Sequence, residues 1–130
     1  MLPAQARLRR RPEFTAVVRS GRRAGRPTLV VHYLSERPVA RVGGPSDPAT
    51  GPRAGFVVGK AVGNSVCRHR VTRQLRHLVG ERLDRLPPTA DLVVRARPEA
   101  AEAGSAVLSR DLDAGLDRVL GVCSPRARRP

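Results

Sequence analysis

The stretch GNSVCRHRVTRQLRHL, from Gly63 to Leu78, decides the architecture. On a helical wheel, Val71, Leu75, Leu78, Val79, Leu83 and Leu86 share one sector, while His69, Arg70, Arg73, Arg76 and His77 fall opposite. This is an amphipathic helix, expected from about Asn64 to Leu86, where Pro87 and Pro88 end it. Its apolar sector needs a sheet to pack on. Its polar face holds no carboxylate before Glu81, so no neighbour one turn away neutralises the arginines. They also crowd the helix start, which the backbone dipole already makes positive. Arg68 departs from the wheel and projects toward the apolar sector, although its place in the first turn still lets it reach solvent.

Outward from the helix, AGFVV (Ala54–Val58) and DLVVRA (Asp91–Ala96) read as strands, and GKAVGNS is the turn between the first strand and the helix. Gly59 and Gly63 permit close backbone approach in that turn, and Asn64 or Ser65 can cap the helix. TLVVHYL (Thr28–Leu34) is a further strand, and RRPEFTAVVRSG a short helix with Pro12 at its start and Gly21 at its end. These three strands are the ones the residues place. A last helix covers Ser105 to Leu120, with a stripe of Leu108, Leu112, Leu116, Val119 and Leu120. Residues 1–120 are expected as one domain, with 38–54 a flexible Pro- and Gly-rich loop and 121–130 a disordered basic tail. The order gives an α+β fold, helices against a small sheet.

Composition narrows the function. The chain has 130 residues and a formal charge of +14, which points to a polyanionic partner, nucleic acid first and anionic membrane second. Of its 25 basic residues only Lys60 is lysine, a bias that makes arginine as such uninformative. Distribution says more: residues 1–80 carry 16 basic and 3 acidic side chains, against 9 and 8 in residues 81–130. The contact surface therefore lies in the first two-thirds. Cys67 and Cys123 form no paired motif, and His32, His69 and His77 have no metal-ligand spacing. No apolar run is long enough to span a bilayer, and no signal-peptide core is present.

The glycine turn is not a nucleotide-binding P-loop, because the order Gly-x-x-x-x-Gly-Lys-Ser/Thr is absent. No nucleophile elbow, close carboxylate pair or oriented Cys–His pair is visible. Lys60, Asn64 and the arginines instead form a patch suited to RNA phosphates and sugars. A ribosomal protein or RNA chaperone would share the size and charge. A repressor with a recognition helix would need a preceding helix, and here a strand precedes.

The run Lys60, Val62, Gly63, Ser65, Val66, Arg68, His69, Arg70, Thr72, Arg73, Leu75 and Arg76 resembles the signature of the bacterial ribonuclease P protein subunits, Lys-x-(Val/Ile)-Gly-x-Ala-Val-x-Arg-Asn-Arg-x-Lys-Arg-x-(Leu/Ile)-Arg. RLRRRPEFTAVVRSG is similar to that family's first helix and DLVVRARP to its last strand, so the likeness spans about residues 7–120. His69 stands where the family has Asn, Thr72 where it has Lys, and Val18 where an aromatic is frequent.

The resemblance implies a four-stranded mixed sheet with three helices, its fourth strand a short one near Arg22–Arg26, an α-β sandwich like the second domain of ribosomal protein S5, with a left-handed βαβ crossover. It implies a noncatalytic subunit of a bacterial, cytoplasmic ribonucleoprotein endonuclease that removes the 5′ leader of precursor tRNA. Catalysis and Mg²⁺ belong chiefly to the RNA, with no membrane and no small-molecule cofactor. Lys60, Gly63, Asn64, Arg68, His69, Arg70, Arg73 and Arg76 are then expected on the catalytic RNA. A cleft between sheet and first helix takes the leader, with Arg9, Arg10, Arg11, Phe14 and His32 as its candidates. Flat side chains in a basic groove suit single-stranded RNA. His32 and Tyr33 point to opposite faces of their strand, so only one lines the cleft.

Overall fold

The computed structural model describes residues 11–35, 52–87 and 90–120. The element order is α1 (Arg11–Ser20), β1 (Arg22–Gly25), β2 (Leu29–Leu34), β3 (Arg53–Val57), α2 (Ser65–Gly80), β4 (Asp91–Ala96) and α3 (Gly104–Leu120). The four strands form one sheet in the order β1-β2-β4-β3. β2 pairs antiparallel with β1 and β4, and β3 runs parallel to β4, with α2 in the connection between them. A mixed sheet with three helices is the α+β architecture expected.

The central strands β2 and β4 are buried along most of their length because helices cover both faces of the sheet. On one face Leu29, Val31, Leu92 and Val94 meet Val71, Leu75, Leu78 and Val79 of α2, and Leu108, Leu112 and Leu116 of α3, in the main core. The other face carries α1 through a smaller cluster, Val17 and Val93 with Phe14 and Leu34. Two residues bring α3 close to the sheet. A Cβ on Gly115 would lie 2.7 Å from Val31 Cγ2, so only glycine fits. The buried Asp111 carboxylate accepts from the Thr28 hydroxyl at 2.6 Å and from its amide at 3.1 Å, tying α3 to the start of β2. Gly21 is held where a side chain would strike the carbonyls of Val17 and Tyr33, which permits the abrupt passage from α1 into β1.

Three boundaries differ from expectation. The long helix ends at Gly80, and a separate 3-10 turn at Leu83–Arg85 follows before Leu86 is buried. The backbone tightens there to deliver Leu86 to the core while Arg82 and Arg85 reach α3. β3 runs from Arg53 to Val57, one residue earlier at each end than the expected strand, so Arg53 belongs to the sheet and not to the loop. Parallel pairing with Asp91 and Leu92 imposes this. A short 3-10 helix, Pro98–Glu102, precedes α3 and had no sequence signal assigned to it. The remainder of the expected loop, residues 38–51, and the basic tail, 121–130, lie outside the described residues.

Candidate nucleic-acid interface

The turn before α2 is built from its own backbone: the Val62 amide donates to Gly59 at 3.1 Å and the Gly63 amide to Lys60 at 3.2 Å. Val62 is buried and anchors the turn to the core, leaving Lys60 exposed. Gly63 takes a positive φ of 154°, and a Cβ there would meet Cys67 Sγ at 2.9 Å. Asn64 is the N-cap, its side-chain oxygen accepting from the Cys67 amide at 2.9 Å. Other first-turn amides remain available, as at any helix start.

Along α2 the cations take different local partners, none of them a carboxylate before His77 among the described residues. Arg68 bends back so that Nε donates to the Gly63 carbonyl at 3.2 Å, which explains its displacement on the wheel: it braces the turn. His69, exposed on the helix, donates from Nδ1 to the Ser65 carbonyl at 3.1 Å. Arg70 reaches the Ala101 carbonyl at 3.2 Å, linking α2 to the 3-10 helix before α3. Arg73 is exposed with no partner among the described residues. Arg76 is half-buried, and its Nε is enclosed without a partner. Thr72, in the place of the family's Lys, turns its hydroxyl to the Arg68 carbonyl at 2.8 Å.

Beyond His77 the pattern reverses. His77 meets Glu81 at 3.2 Å, Arg82 Nε meets Asp113 at 2.6 Å, and Arg85 meets Asp117 at 2.6 Å. Hydrogen bonding to Asp113 raises the Arg82 pKa, and the same bond holds the Asp113 carboxyl below its ordinary range. The positive charge is thus neutralised in the turn after α2, where Arg82 and Arg85 meet α3, and left open from Arg68 to Arg76.

The opposite sheet face places Phe14 and His32 on the α1 side. Phe14 is half-buried against the Val17–Val93 cluster. His32 is 4% exposed, and neither ring nitrogen has a partner. Burial, then the charges of Arg23 and Arg95, lower its pKa, so the ring is neutral near pH 7. Tyr33 lies in the main core on the other face, as alternation requires. Val18 is exposed on α1. Arg11 is the first residue of α1, whereas Arg9 and Arg10 lie outside the described residues. Sequence reasoning passed over Arg23 and Arg95, whose convergence on His32 depends on strand register.

A basic α+β protein with an uncompensated arginine helix on one side of its sheet has the form of a nucleic-acid-binding module. The family model Ribonuclease P matches residues 2–120. The ribonuclease P protein component of Streptomyces bikiniensis is 57% identical over 121 residues, covering 93% of this chain and 97% of that protein. That of Corynebacterium diphtheriae is 47% identical over 119 residues, covering 92% and 97%. Among solved structures, the Staphylococcus aureus RNase P protein superposes with a TM-score of 0.68 at 19% identity, covering 92% of this chain and 95% of that one. The Thermotoga maritima protein gives 0.67 at 21%, covering 87% and 96%. The chain belongs to the ribonuclease P protein family, whose members serve with an RNA subunit in the holoenzyme that processes tRNA 5′ ends. Among the described residues no helix is long and apolar enough to cross a membrane.

Proposed function

We propose that the turn at Lys60–Asn64 and the stretch of α2 from Arg68 to Arg76, with Arg68, His69, Arg70, Arg73 and Arg76, bind the catalytic RNA, while the α1 side of the sheet, with Phe14 and His32, takes the 5′ leader of precursor tRNA. Arg9, Arg10 and Arg11 are further candidates for the leader by charge alone. One observation carries the first half: arginines over α3 are paired with aspartates, and those at the free end of α2 are not. A solvated surface helix gains nothing from that segregation, whereas a phosphate-binding one requires it. The leader half rests on a buried, neutral and unpartnered imidazole on the sheet face that also carries Phe14 and two flanking arginines.

Mg²⁺ is allotted to the RNA. Among the described residues, Asp91, Asp111, Asp113 and Asp117 are each engaged by a protein donor. The chain's part is to hold the leader and screen phosphate repulsion. The test is cleavage of precursor tRNA by the cognate catalytic RNA at low Mg²⁺, with and without the chain. Adding the chain increases the rate of leader removal. An unchanged rate with an RNA active on its own at high Mg²⁺ overturns the proposal.

A further inference from the structure

Where α1 passes into β1, the end of α3 borders a cavity of about 270 Å³ whose lining includes Gly21, Arg22, Tyr33, Leu34, Val119 and Leu120. None of these residues belongs to α2, and Tyr33 lies on the sheet face opposite Phe14. The cavity is therefore separate from both surfaces assigned above.

Two polar groups meet there on a wall that is otherwise apolar. Tyr33 is 6% exposed, with its ring in the main core. Its hydroxyl is not among the fully enclosed atoms and has no hydrogen-bond partner among the described residues. Buried polar groups nearly always have partners, so this one is spare to the fold. Burial raises the phenol pKa, which keeps the proton on and leaves the hydroxyl able to donate. Arg22 pairs in register with Tyr33 and leaves its strand on the same face. Its Nη1 donates to the Val119 carbonyl at 3.1 Å, while Nε and Nη2 have no partner among the described residues. Those two nitrogens form a planar fork for two acceptors side by side.

Size and charge select the ligand. The volume is below the roughly 300–1,000 Å³ of sites for drug-sized molecules, so the cavity suits a single ring system. Leu34, Val119 and Leu120 give the faces of a ring an apolar wall. The fork itself would match a carboxylate, a phosphate or the O6–N7 edge of guanine. The end of α3 decides between them. Its last carbonyls carry partial negative charge that repels an anion, and Arg22 is already turned toward one of them. A neutral base meets no such repulsion. On that edge guanine presents two acceptors, where adenine sets a donor beside its acceptor. Bases splayed out of single-stranded RNA are read in this way.

We infer that this cavity takes one unpaired guanine of an RNA partner, with Arg22 on its O6–N7 edge and the Tyr33 hydroxyl as a second polar contact. The inference draws on membership in a family that works with RNA and is independent of which face takes the leader.

The test uses the full chain assembled with catalytic RNA and precursor tRNA, with one RNA at a time carrying scattered 6-thioguanosine. Near-ultraviolet light joins a thioguanine to the side chains it touches. A link to Arg22 or Tyr33 is expected in one arm, and that arm identifies which RNA supplies the base. Placing 7-deazaguanosine at the linked position removes N7 and weakens binding of that RNA about fivefold. Arg22→Ala weakens it about tenfold, and the deaza base then costs nothing further. Tyr33→Phe keeps the ring in the core and the urea midpoint unchanged, and weakens binding about threefold. Arg118→Ala, on the exposed side of α3, behaves as wild type. Links that avoid Arg22 and Tyr33 in both arms overturn the inference. So does a deaza base without effect on wild type, which would make Arg22 a phosphate contact, or one whose cost is the same in Arg22→Ala. Each of these failures leaves the assignments of α2 and of the α1 face standing.

Discussion

His32 combines two properties that stability alone would not retain: near-complete burial and two unpartnered ring nitrogens. Its pKa is lowered, so the folded state takes up its proton at lower pH than the unfolded chain does. The sign follows from linkage. The unfolded state binds more protons between the two values, so stability is fully present above the ordinary histidine range and is lost as pH falls through the folded value. His32→Leu removes the titration and the unpaired nitrogens together. It is expected to stabilise the fold by about 1–3 kcal/mol at neutral pH, and to flatten the rise of the urea midpoint between acid and neutral pH. A midpoint that rises as steeply in the variant assigns the acid sensitivity to another group. Single residues were only partly legible in advance. Phe14 and His32 were recognised as flat side chains on a basic chain. The bend of Arg68 onto Gly63 was not, because a wheel shows the direction in which a side chain leaves the helix and not the carbonyl it finds.

α2 is where sequence and structure agree most closely, and where their difference is informative. Its 3.6-residue stripe named Val71, Leu75, Leu78 and Val79, all of them buried, because burial on a sheet demands that period. β1 was only suggested, since Arg22–Gly25 carries no strand pattern of its own: pairing with β2 makes it a strand. Gly115 and Asp111 escaped the reading of α3 for a related reason, as each takes its role from β2 or from Thr28 across the interface. Within α2 and the turn that follows, two arginines of the same type should behave oppositely. Arg73→Ala removes an exposed, unpartnered cation and leaves stability within about 0.5 kcal/mol of wild type. Arg82→Ala strips partners from Asp113, Ser109 and the Leu78 carbonyl. It is expected to destabilise by about 1–2 kcal/mol, moderated by the half-exposed Asp113 side chain. Because Asp113 is held below its ordinary pKa of 3.8, this seam contributes fully above that value and weakens as pH falls through the lower, folded one. Denaturation of both variants at neutral and acid pH checks the contrast. Equal losses for Arg73 and Arg82 would mean that the free half of α2 also serves the fold.

Across the whole molecule the sheet separates two basic surfaces, the free end of α2 on one side and the face with Arg23 and Arg95 on the other. This arrangement gives physical form to the charge asymmetry of the sequence. The nearly balanced last 50 residues, +1 by count, include α3, whose aspartates neutralise Arg82 and Arg85. The excess of the first 80 residues is left for partners. Two surfaces on opposite faces, with no shared contacts, should act independently, and free-energy changes from distant sites add to within about 0.5 kcal/mol. Arg73→Ala is therefore expected to weaken assembly with the catalytic RNA and, once that RNA is saturating, to leave the preference for a long leader intact. Arg95→Ala is expected to do the reverse. In the double variant the free-energy losses in cleavage of long-leader substrate at subsaturating RNA should sum. A combined loss well short of that sum would show both arginines on one RNA surface, with the chain gripping a single strand from both sides of the sheet and not bridging two RNAs.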